Sequence, residues 1–300
     1  MNTEFIRGVV VPMITPIDEE ERIDEVNFRK QVEYIIEGGL EGILVFGSNG
    51  EFYQVEEDEM ERGLKIALDQ AAGRVPVYFG IGAINTKKCI RLAKMAEENG
   101  AAAISILQPM FLKPTREELY RHFRSIAEAV PKTPVLLYNN PGRVGYTLTA
   151  DLVEMLAHDV DNIVGMKDTS GDMTLTQEFI RRNRDVGFRV FGGKDTLLFL
   201  SMCVGAVGGV CTAGNFMPEL IGDIYHKYMA GDIEGAMEAQ FKLNPVRLSM
   251  DGASFPVAAK DMAALRGLHP GAPYLPNLPT PEGPVLDKIK TAMREAGLIA

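Results

Sequence analysis

Short apolar runs alternate with amphipathic segments along the first three quarters of the chain. The apolar runs span residues 8–14, 42–46, 75–80, 102–107, 134–138, 162–167, 187–192 and 206–211. They lack the strict apolar–polar alternation of a half-exposed strand, so each is predicted to be a strand buried on both faces. A helical pattern follows each run. The pattern therefore predicts eight strand–helix units and a parallel sheet.

Eight such units within residues 1–228 favour a closed (β/α)8 TIM barrel of the α/β class. An open dinucleotide-binding sheet is the weaker option, because no G-x-G-x-x-G motif follows the first strand. Residues 229–300 break the pattern. They predict helices at 233–243, in the second half of 254–266 and at 285–296, with a proline-rich extended segment at 270–284. This C-terminal helical extension is expected to pack on the barrel without chemistry of its own.

The charge balance narrows the classes of partner. The formal net charge is −10 and the pI is near 5.1, which argues against binding to nucleic acid or to an anionic membrane. An anionic small substrate remains compatible, because a local pocket can be positive on an acidic protein. No apolar run reaches the ~20 residues of a membrane span. We expect a cytoplasmic protein.

Cysteine and histidine give no sign of a metal site. The three cysteines and four histidines are scattered and lack the spacing of metal ligands. An odd number of cysteines without a disulfide pattern is typical of a reducing compartment. We predict neither a metal nor an organic cofactor.

One lysine stands where a barrel would place its chemistry. The carboxyl ends of all strands in a (β/α)8 barrel meet at one mouth, and catalytic residues lie there. Lys167 ends the sixth predicted strand. Burial disfavours the charged form of a lysine, and a neutral amine forms Schiff bases with carbonyl compounds. From this stretch alone, a lysine that extends its ammonium to solvent is an equally valid interpretation.

Three motifs at predicted strand ends resemble those of a known family. They are Gly47-Ser-Asn-Gly-Glu51, Tyr138-Asn-Asn-Pro141 and Gly165-Met-Lys167. They resemble the G-[ST]-[TG]-G-E, Y-N-x-P and G-[IV]-K motifs of the dihydrodipicolinate synthase and N-acetylneuraminate lyase family, the pyruvate-dependent class I aldolases. The resemblance covers nearly the whole chain, and the three motifs are specific in combination.

The resemblance implies a role for each site residue. Lys167 would form an imine with the keto carbon of pyruvate, Tyr138 would pass protons, and Ser48 would be the relay hydroxyl. Glu51 would have a structural, hydrogen-bonding role. The residues implied to bind substrate are Ser48, Asn49, Arg143, Thr169, Gly192 and Val210. A homotetramer is also implied, with Phe111 directed toward a neighbouring subunit's site.

The second substrate is less well defined. Asn49 and Phe111 replace a threonine and a tyrosine of the synthases, and without a hydroxyl at Phe111 a three-member proton relay is incomplete. Arg143 nevertheless occupies the position of the arginine that binds the second substrate's carboxylate. We therefore predict a condensation of pyruvate with aspartate semialdehyde, of the dihydrodipicolinate synthase type.

Two alternatives stay open. The run Lys167-Asp-Thr169 also resembles aldolases of 2-keto-3-deoxygluconate and related sugar acids, in which a threonine binds a substrate hydroxyl. The other alternative is a non-catalytic sensor that binds a keto acid, which the changes at Asn49 and Phe111 would permit.

Overall fold

The computed structural model describes all 300 residues, and its centre is a closed barrel of eight parallel strands. The strands are β1 Gly8–Pro12, β2 Gly42–Val45, β3 Val77–Ile81, β4 Ala103–Leu107, β5 Val135–Asn139, β6 Ile163–Asp168, β7 Arg189–Gly192 and β8 Gly208–Val210. They pair in chain order, and β8 closes the barrel on β1. The predicted (β/α)8 fold is confirmed.

Closure of the barrel depends on glycine where β1 meets β8. Gly8 is paired with Gly208, whose φ is +146°. A Cβ on Gly208 would lie 2.0 Å from the carbonyl oxygen of Gly8, so no other residue fits at this close approach of two backbones. The first and last strands of the barrel can therefore pair directly.

Two apolar cores explain why the strands are apolar throughout. A cluster of eight buried residues, including Val10, Tyr78 and Phe191, fills the barrel interior. A cluster of 69 buried residues lies mostly between the strands and the surrounding helices. Each strand is buried on both faces, as the lack of polar alternation predicts.

Helices follow the strands and surround the barrel. They are α1 Glu25–Glu37, α2 Glu57–Ala71, α3 Thr86–Glu98, α4 Arg116–Glu128, α5 Pro141–Val144, α6 Ala150–Asp159, α7 Met173–Arg182, α8 Leu198–Cys203 and α9 Pro218–Met229. The capping box before α4 is present. Thr115 Oγ1 accepts from the Glu118 amide at 3.3 Å, and the Glu118 carboxylate accepts from the Thr115 amide at 2.6 Å.

The helices that complete the chain are α10 Ile233–Ser249, α11 Val257–Leu265 and α12 Pro284–Glu295. Residues 266–283 between α11 and α12 form no helix or strand, as the prolines predict. None of the helices combines the length and the apolar character that a membrane span requires.

Two helices differ from the sequence prediction. α5 begins at Pro141, in a segment predicted to be a loop; proline is favoured at the first position of a helix because no donor is lost there. α10 continues six residues beyond the predicted end at Leu243 and contains Pro245. Leu243 and Val246 are both buried in the larger core. Packing on both sides of the proline therefore outweighs its cost within the helix.

The C-terminal region reaches the carboxyl-end mouth of the barrel. The Ile17 amide donates to the Pro270 carbonyl at 3.2 Å, and the Leu275 amide donates to the Glu21 carboxylate at 2.9 Å. Ile17 and Glu21 belong to the loop between β1 and α1. The segment between α11 and α12 therefore lies against the loops that form the mouth.

Candidate active site

Lys167 lies inside the barrel mouth. It is paired with Tyr138 on β5 and Phe191 on β7, and only 5% of its surface is exposed. Its Nζ is 4.3 Å from the centre of the Tyr138 ring. The alternative in which Lys167 reaches solvent is therefore wrong. The pattern of β6 explains the placement, since alternate residues of a strand point to opposite faces and Lys167 is on the interior face.

The Tyr138 phenol is held by several polar neighbours. Its oxygen accepts a hydrogen bond from Asn140 Nδ2 at 2.8 Å. Burial alone would raise the pKa of Tyr138, but the nearby Lys167 ammonium opposes burial, and the pKa is lowered from its usual value. Polar groups of Ser48, Asn140 and Thr169 act in the same direction. A more acidic phenol beside an amine can exchange protons with it more readily.

Ser48 and Asn49 belong to the loop that follows β2, and both are buried. Asn49 Nδ2 donates to Thr212 Oγ1 at 2.9 Å, while its Oδ1 has no partner. The loop is fixed further along, where Thr15 Oγ1 donates to the Gly50 carbonyl at 2.8 Å. The structure thus brings the Ser48 hydroxyl to the same mouth as Lys167.

Asp168 faces away from the Lys167 side chain and organises the backbone after β6. Its carboxylate accepts from Asn139 Nδ2 at 2.9 Å, from the Ser170 amide at 3.0 Å and from Thr176 Oγ1 at 2.6 Å. These bonds join β5 to the start of α7. Asp168 therefore has a structural role.

Thr169 lies beside the Tyr138 phenol. Its Oγ1 is buried and completes no hydrogen bond. A Cβ on Gly193 would fall 2.1 Å from this oxygen, so the glycine makes room for the threonine hydroxyl. A buried hydroxyl without a partner is costly, and a polar group of a substrate would satisfy it.

Gly192 and Val210 lie at the ends of β7 and β8. A Cβ on Gly192 would come within 2.6 Å of Ser201 Oγ, so a larger residue does not fit without displacing α8. Val210 belongs to the apolar cluster of the barrel interior. Both residues shape the barrel near its mouth and bring no ionisable group to it.

Arg143 lies on α5, at the rim of the mouth. Its guanidinium carbon is 4.0 Å from the centre of the Phe255 ring, and the arginine takes part in no salt bridge. The two residues form a wall shared by two cavities of about 520 Å³ and about 270 Å³. Ser48 lines the larger cavity and Asn49 the smaller. An unpaired guanidinium here can bind a carboxylate.

The C-terminal extension contributes to these cavities, contrary to the expectation that it only packs on the barrel. Phe255, Pro276 and Asn277 line the larger cavity, and Arg247 of α10 lines the smaller. Arg247 Nε also donates to the buried Asp195 carboxylate at 3.1 Å. The mouth is therefore built by the barrel loops together with the C-terminal region.

Phe111 is not part of the site within this chain. It is 94% exposed and has a φ of +68°, an uncommon conformation for a bulky residue. Its neighbour Met110 lines the larger cavity.

Sequence reasoning missed three residues of the site. Asn140 stands at the variable position of the Tyr138 motif, so nothing in the motif marks it as the phenol's donor. Phe255 and Arg247 come from the region to which no chemistry was assigned, and no motif surrounds them. All three were detectable only through their neighbours in space. No three His, Cys, Asp or Glu side chains come together to hold a metal ion.

A lysine buried at the mouth of a closed (β/α)8 barrel, against a hydrogen-bonded phenol, defines the class of Schiff-base aldolase-type enzymes. The chain belongs to the dihydrodipicolinate synthetase family, whose sequence model matches residues 5–296.

Relatives and solved structures agree with this assignment. A 4-hydroxy-tetrahydrodipicolinate synthase from Thermus thermophilus is 36% identical over 265 residues, which are 88% of each chain. The crystal structure of a dihydrodipicolinate synthase from Thermotoga maritima has a TM-score of 0.93 and 29% identity, and covers 98% of this chain and 99% of that chain. A prophage protein of the family from E. coli K12, solved with pyruvate, has a TM-score of 0.92 and 28% identity, with 97% and 99% covered.

Proposed function

We propose that this protein condenses pyruvate with aspartate semialdehyde through an imine at Lys167, the reaction type of 4-hydroxy-tetrahydrodipicolinate synthase. The observation that carries the proposal is the buried Lys167 amine 4.3 Å from the centre of the Tyr138 ring. The amine attacks the keto carbon of pyruvate and water leaves, which gives a protonated imine. Loss of a proton from the methyl carbon then gives an enamine, whose carbon attacks the aldehyde.

Tyr138 is the proton carrier in this scheme. Protons must reach the departing hydroxyl, leave the methyl carbon and reach the new alkoxide. A phenol with a lowered pKa, held by Asn140 and close to the Ser48 hydroxyl, is suited to give and accept these protons. Ser48 and the backbone amides around Asn49 would bind the pyruvate carboxylate.

Arg143 favours an aldehyde that carries a carboxylate. Its guanidinium has no acidic partner, and it forms part of both cavities at the mouth. Arg247 adds a second guanidinium to the smaller cavity. Aspartate semialdehyde has the carboxylate that these groups would bind, whereas glyceraldehyde has none.

The alternative reaction is cleavage of a 2-keto-3-deoxy sugar acid. The observation that favours it is the partnerless Thr169 hydroxyl beside the Tyr138 phenol. A hydroxyl of a sugar-acid substrate would give this group a hydrogen bond.

A comparison of two aldehydes tests the proposal. The purified protein is supplied with pyruvate and either aspartate semialdehyde or glyceraldehyde, and product formation is followed. We expect turnover with the first. Turnover with glyceraldehyde alone would replace the proposal by the sugar-acid alternative. Trapping of pyruvate without turnover of either aldehyde would favour the keto-acid sensor.

We also propose a homotetramer, because two separate apolar areas are exposed. One surrounds Phe111 and Leu112 in the loop after β4. The other lies on α10 and includes Ile233, Phe241 and Leu248. Residues spaced by seven or eight lie on one face of a helix, so α10 presents a second apolar face opposite the one packed on the barrel. A tetramer built from dimers needs two such areas on each subunit.

A further inference from the structure

The loop that carries Ser48 ends at an unusual residue. Glu51 is fully buried and has a φ of +55°, a conformation that costs free energy for a residue with a side chain. Its carboxylate accepts from the Tyr274 amide at 3.2 Å and lies 2.7 Å from Lys260 Nζ. Both partners belong to the C-terminal region, more than 200 residues away in the chain.

Lys260 is as deeply buried as its partner. It lies on α11 with 2% of its side chain exposed. Its Nζ donates to the Ala272 carbonyl at 3.0 Å and lies 5.6 Å from the centre of the Tyr274 ring. The ion pair is thus enclosed by the segment between α11 and α12. It joins the β2 loop to the C-terminal region at a point that water does not reach.

The electrostatics of the pair indicate that it positions the loop that carries Ser48 rather than stabilises the fold. Burial raises the pKa of Glu51 and lowers the pKa of Lys260, and the attraction between them only partly opposes both shifts. A buried pair in this state costs about as much in desolvation as it returns in attraction. Replacement of a buried ion pair by apolar residues of similar volume is often neutral or stabilising, so a fixed geometry is the role that we test for these charges.

The Glu51–Lys260 ion pair holds the end of the loop that carries Ser48, and Ser48 lies near the Tyr138 phenol. Ser48 lies three residues before Glu51, and its hydroxyl is close enough to the Tyr138 phenol to influence it. Thr15 already holds the loop at the Gly50 carbonyl, and a Cβ on Gly50 would lie 3.0 Å from Phe46 N, so the loop is tightly packed at this point. At its end, the Glu51 amide donates to the Ser48 carbonyl at 3.3 Å, and the Glu51 side chain adds the contacts to the C-terminal region.

We propose that Glu51 and Lys260 are positioning residues, through which the C-terminal region sets the Ser48 loop for proton transfer at the Tyr138 phenol. The proposal rests on the imine mechanism above. It assigns to the C-terminal region a part in the reaction that does not require contact with the substrate.

Two measurements separate proton transfer from imine formation. The first is the fraction of protein trapped as the reduced adduct after borohydride treatment at saturating pyruvate, which reports an equilibrium. The second is the rate at which the pyruvate methyl protons exchange with deuterium from the solvent, which requires the enamine. Displacement of Ser48 should slow the exchange without lowering the trapped fraction.

Lys260→Met removes the ammonium and keeps most of the side-chain volume. We expect exchange at least tenfold slower, an unchanged trapped fraction, and partial rescue in Lys260→Arg. Lys290→Met is the matched control, since Lys290 forms an ion pair with the exposed Glu282 in the same region. It should behave as the wild type.

If Lys260→Met does not fold, the double variant Glu51→Leu/Lys260→Met replaces both charges and should fold with the same slow exchange. Wild-type exchange in a folded Lys260→Met or double variant would overturn the proposal. If the wild-type protein itself traps no pyruvate, the proposed function fails, and this outcome is distinct from a failure of the positioning role.

Discussion

The proposed chemistry of this protein depends on two side chains, and the sequence indicated both. Lys167 and Tyr138 each occupy the last position but one of a strand and stand in short motifs, so the barrel fold alone brings them to one mouth. Their mutual distance and the lowered pKa of the phenol come from packing. Asn140, the donor to the phenol, has no signal in the sequence because its role depends on the turn into α5.

Tyr138→Phe removes the phenol oxygen and leaves the ring against Lys167. We expect methyl-proton exchange and turnover to fall by about 10²–10³-fold, within the range of lost general acid–base catalysis, while borohydride still traps pyruvate at equilibrium. Both rates are measured at saturating pyruvate. Tyr120→Phe is the control, since its phenol bonds only exposed groups on the outside of the barrel. Equal rates in the Tyr138 variant and the wild type would remove Tyr138 from the mechanism.

Arg143→Gln tests the choice of second substrate. Loss of a charged hydrogen bond to a carboxylate costs about 1.5–3 kcal/mol, so we expect KM for aspartate semialdehyde to rise by about 10–100-fold. KM for pyruvate should change little. Arg121→Gln, which alters an exposed arginine on α4, is the control. An unchanged KM for aspartate semialdehyde would mean that Arg143 does not bind its carboxylate.

At the scale of elements, the hydrophobic pattern predicted every strand and the helix after each of them. The pattern succeeds because parallel strands buried on both faces give continuous apolar runs. The hydrophobic pattern failed where contacts with residues distant in sequence decide whether a segment is helical. α10 continues past Pro245 because Leu243 and Val246, before and after the proline, are both buried, and α5 forms in a segment too short to show a periodicity.

A histidine on α4 gives the protein a predictable response to acid. His122 is buried, its Nδ1 is 2.9 Å from Thr86 Oγ1, and its Nε2 has no partner. Burial lowers its pKa from 6.5 to about 4. The unfolded chain therefore binds a proton near pH 6.5 that the folded protein does not bind until about pH 4. The resulting loss of stability begins as the pH falls through 6.5 and is complete near 4.

Urea unfolding at several pH values measures this loss. We expect His122 to account for about 3 kcal/mol of the decrease in unfolding free energy between pH 7 and pH 4. In His122→Gln, the unfolding free energy should fall by about 3 kcal/mol less between pH 7 and pH 4 than in the wild type. This holds whatever the stability of the variant at pH 7. His269→Gln, a change at an exposed position, is the control for the replacement of a histidine by glutamine. Parallel curves for His122→Gln and the wild type would contradict the burial argument.

At the scale of the whole molecule, the C-terminal region is more closely tied to the site than its composition indicated. Lys260 and Arg247 pair with acids buried in two barrel loops, and Phe255 stacks on Arg143. These contacts join residues far apart in sequence, so neither spacing nor motif could reveal them. The division of the chain at residues 228 and 229 stays a prediction.

The exposed apolar face of α10 predicts a contact between subunits. Phe241→Asp places a charge at its centre, where the phenylalanine is 57% exposed. Because an exposed position tolerates the change, the subunit should fold, while the proposed tetramer should dissociate to smaller species. Light scattering coupled to size-exclusion chromatography measures the mass. Lys242→Asp, a neighbouring exposed position on the same helix, is the control. A variant that keeps the mass of the wild type would exclude this face as an interface.

Peptide mapping after reductive trapping shows whether Lys167 is the residue that forms the imine with pyruvate. The protein is treated with pyruvate and borohydride, digested and analysed by mass spectrometry, beside a Lys167→Arg variant. We expect one reduced pyruvate adduct, on the peptide that contains Lys167, and none in the variant. An adduct on a different lysine, or no adduct on the wild-type protein, would contradict it.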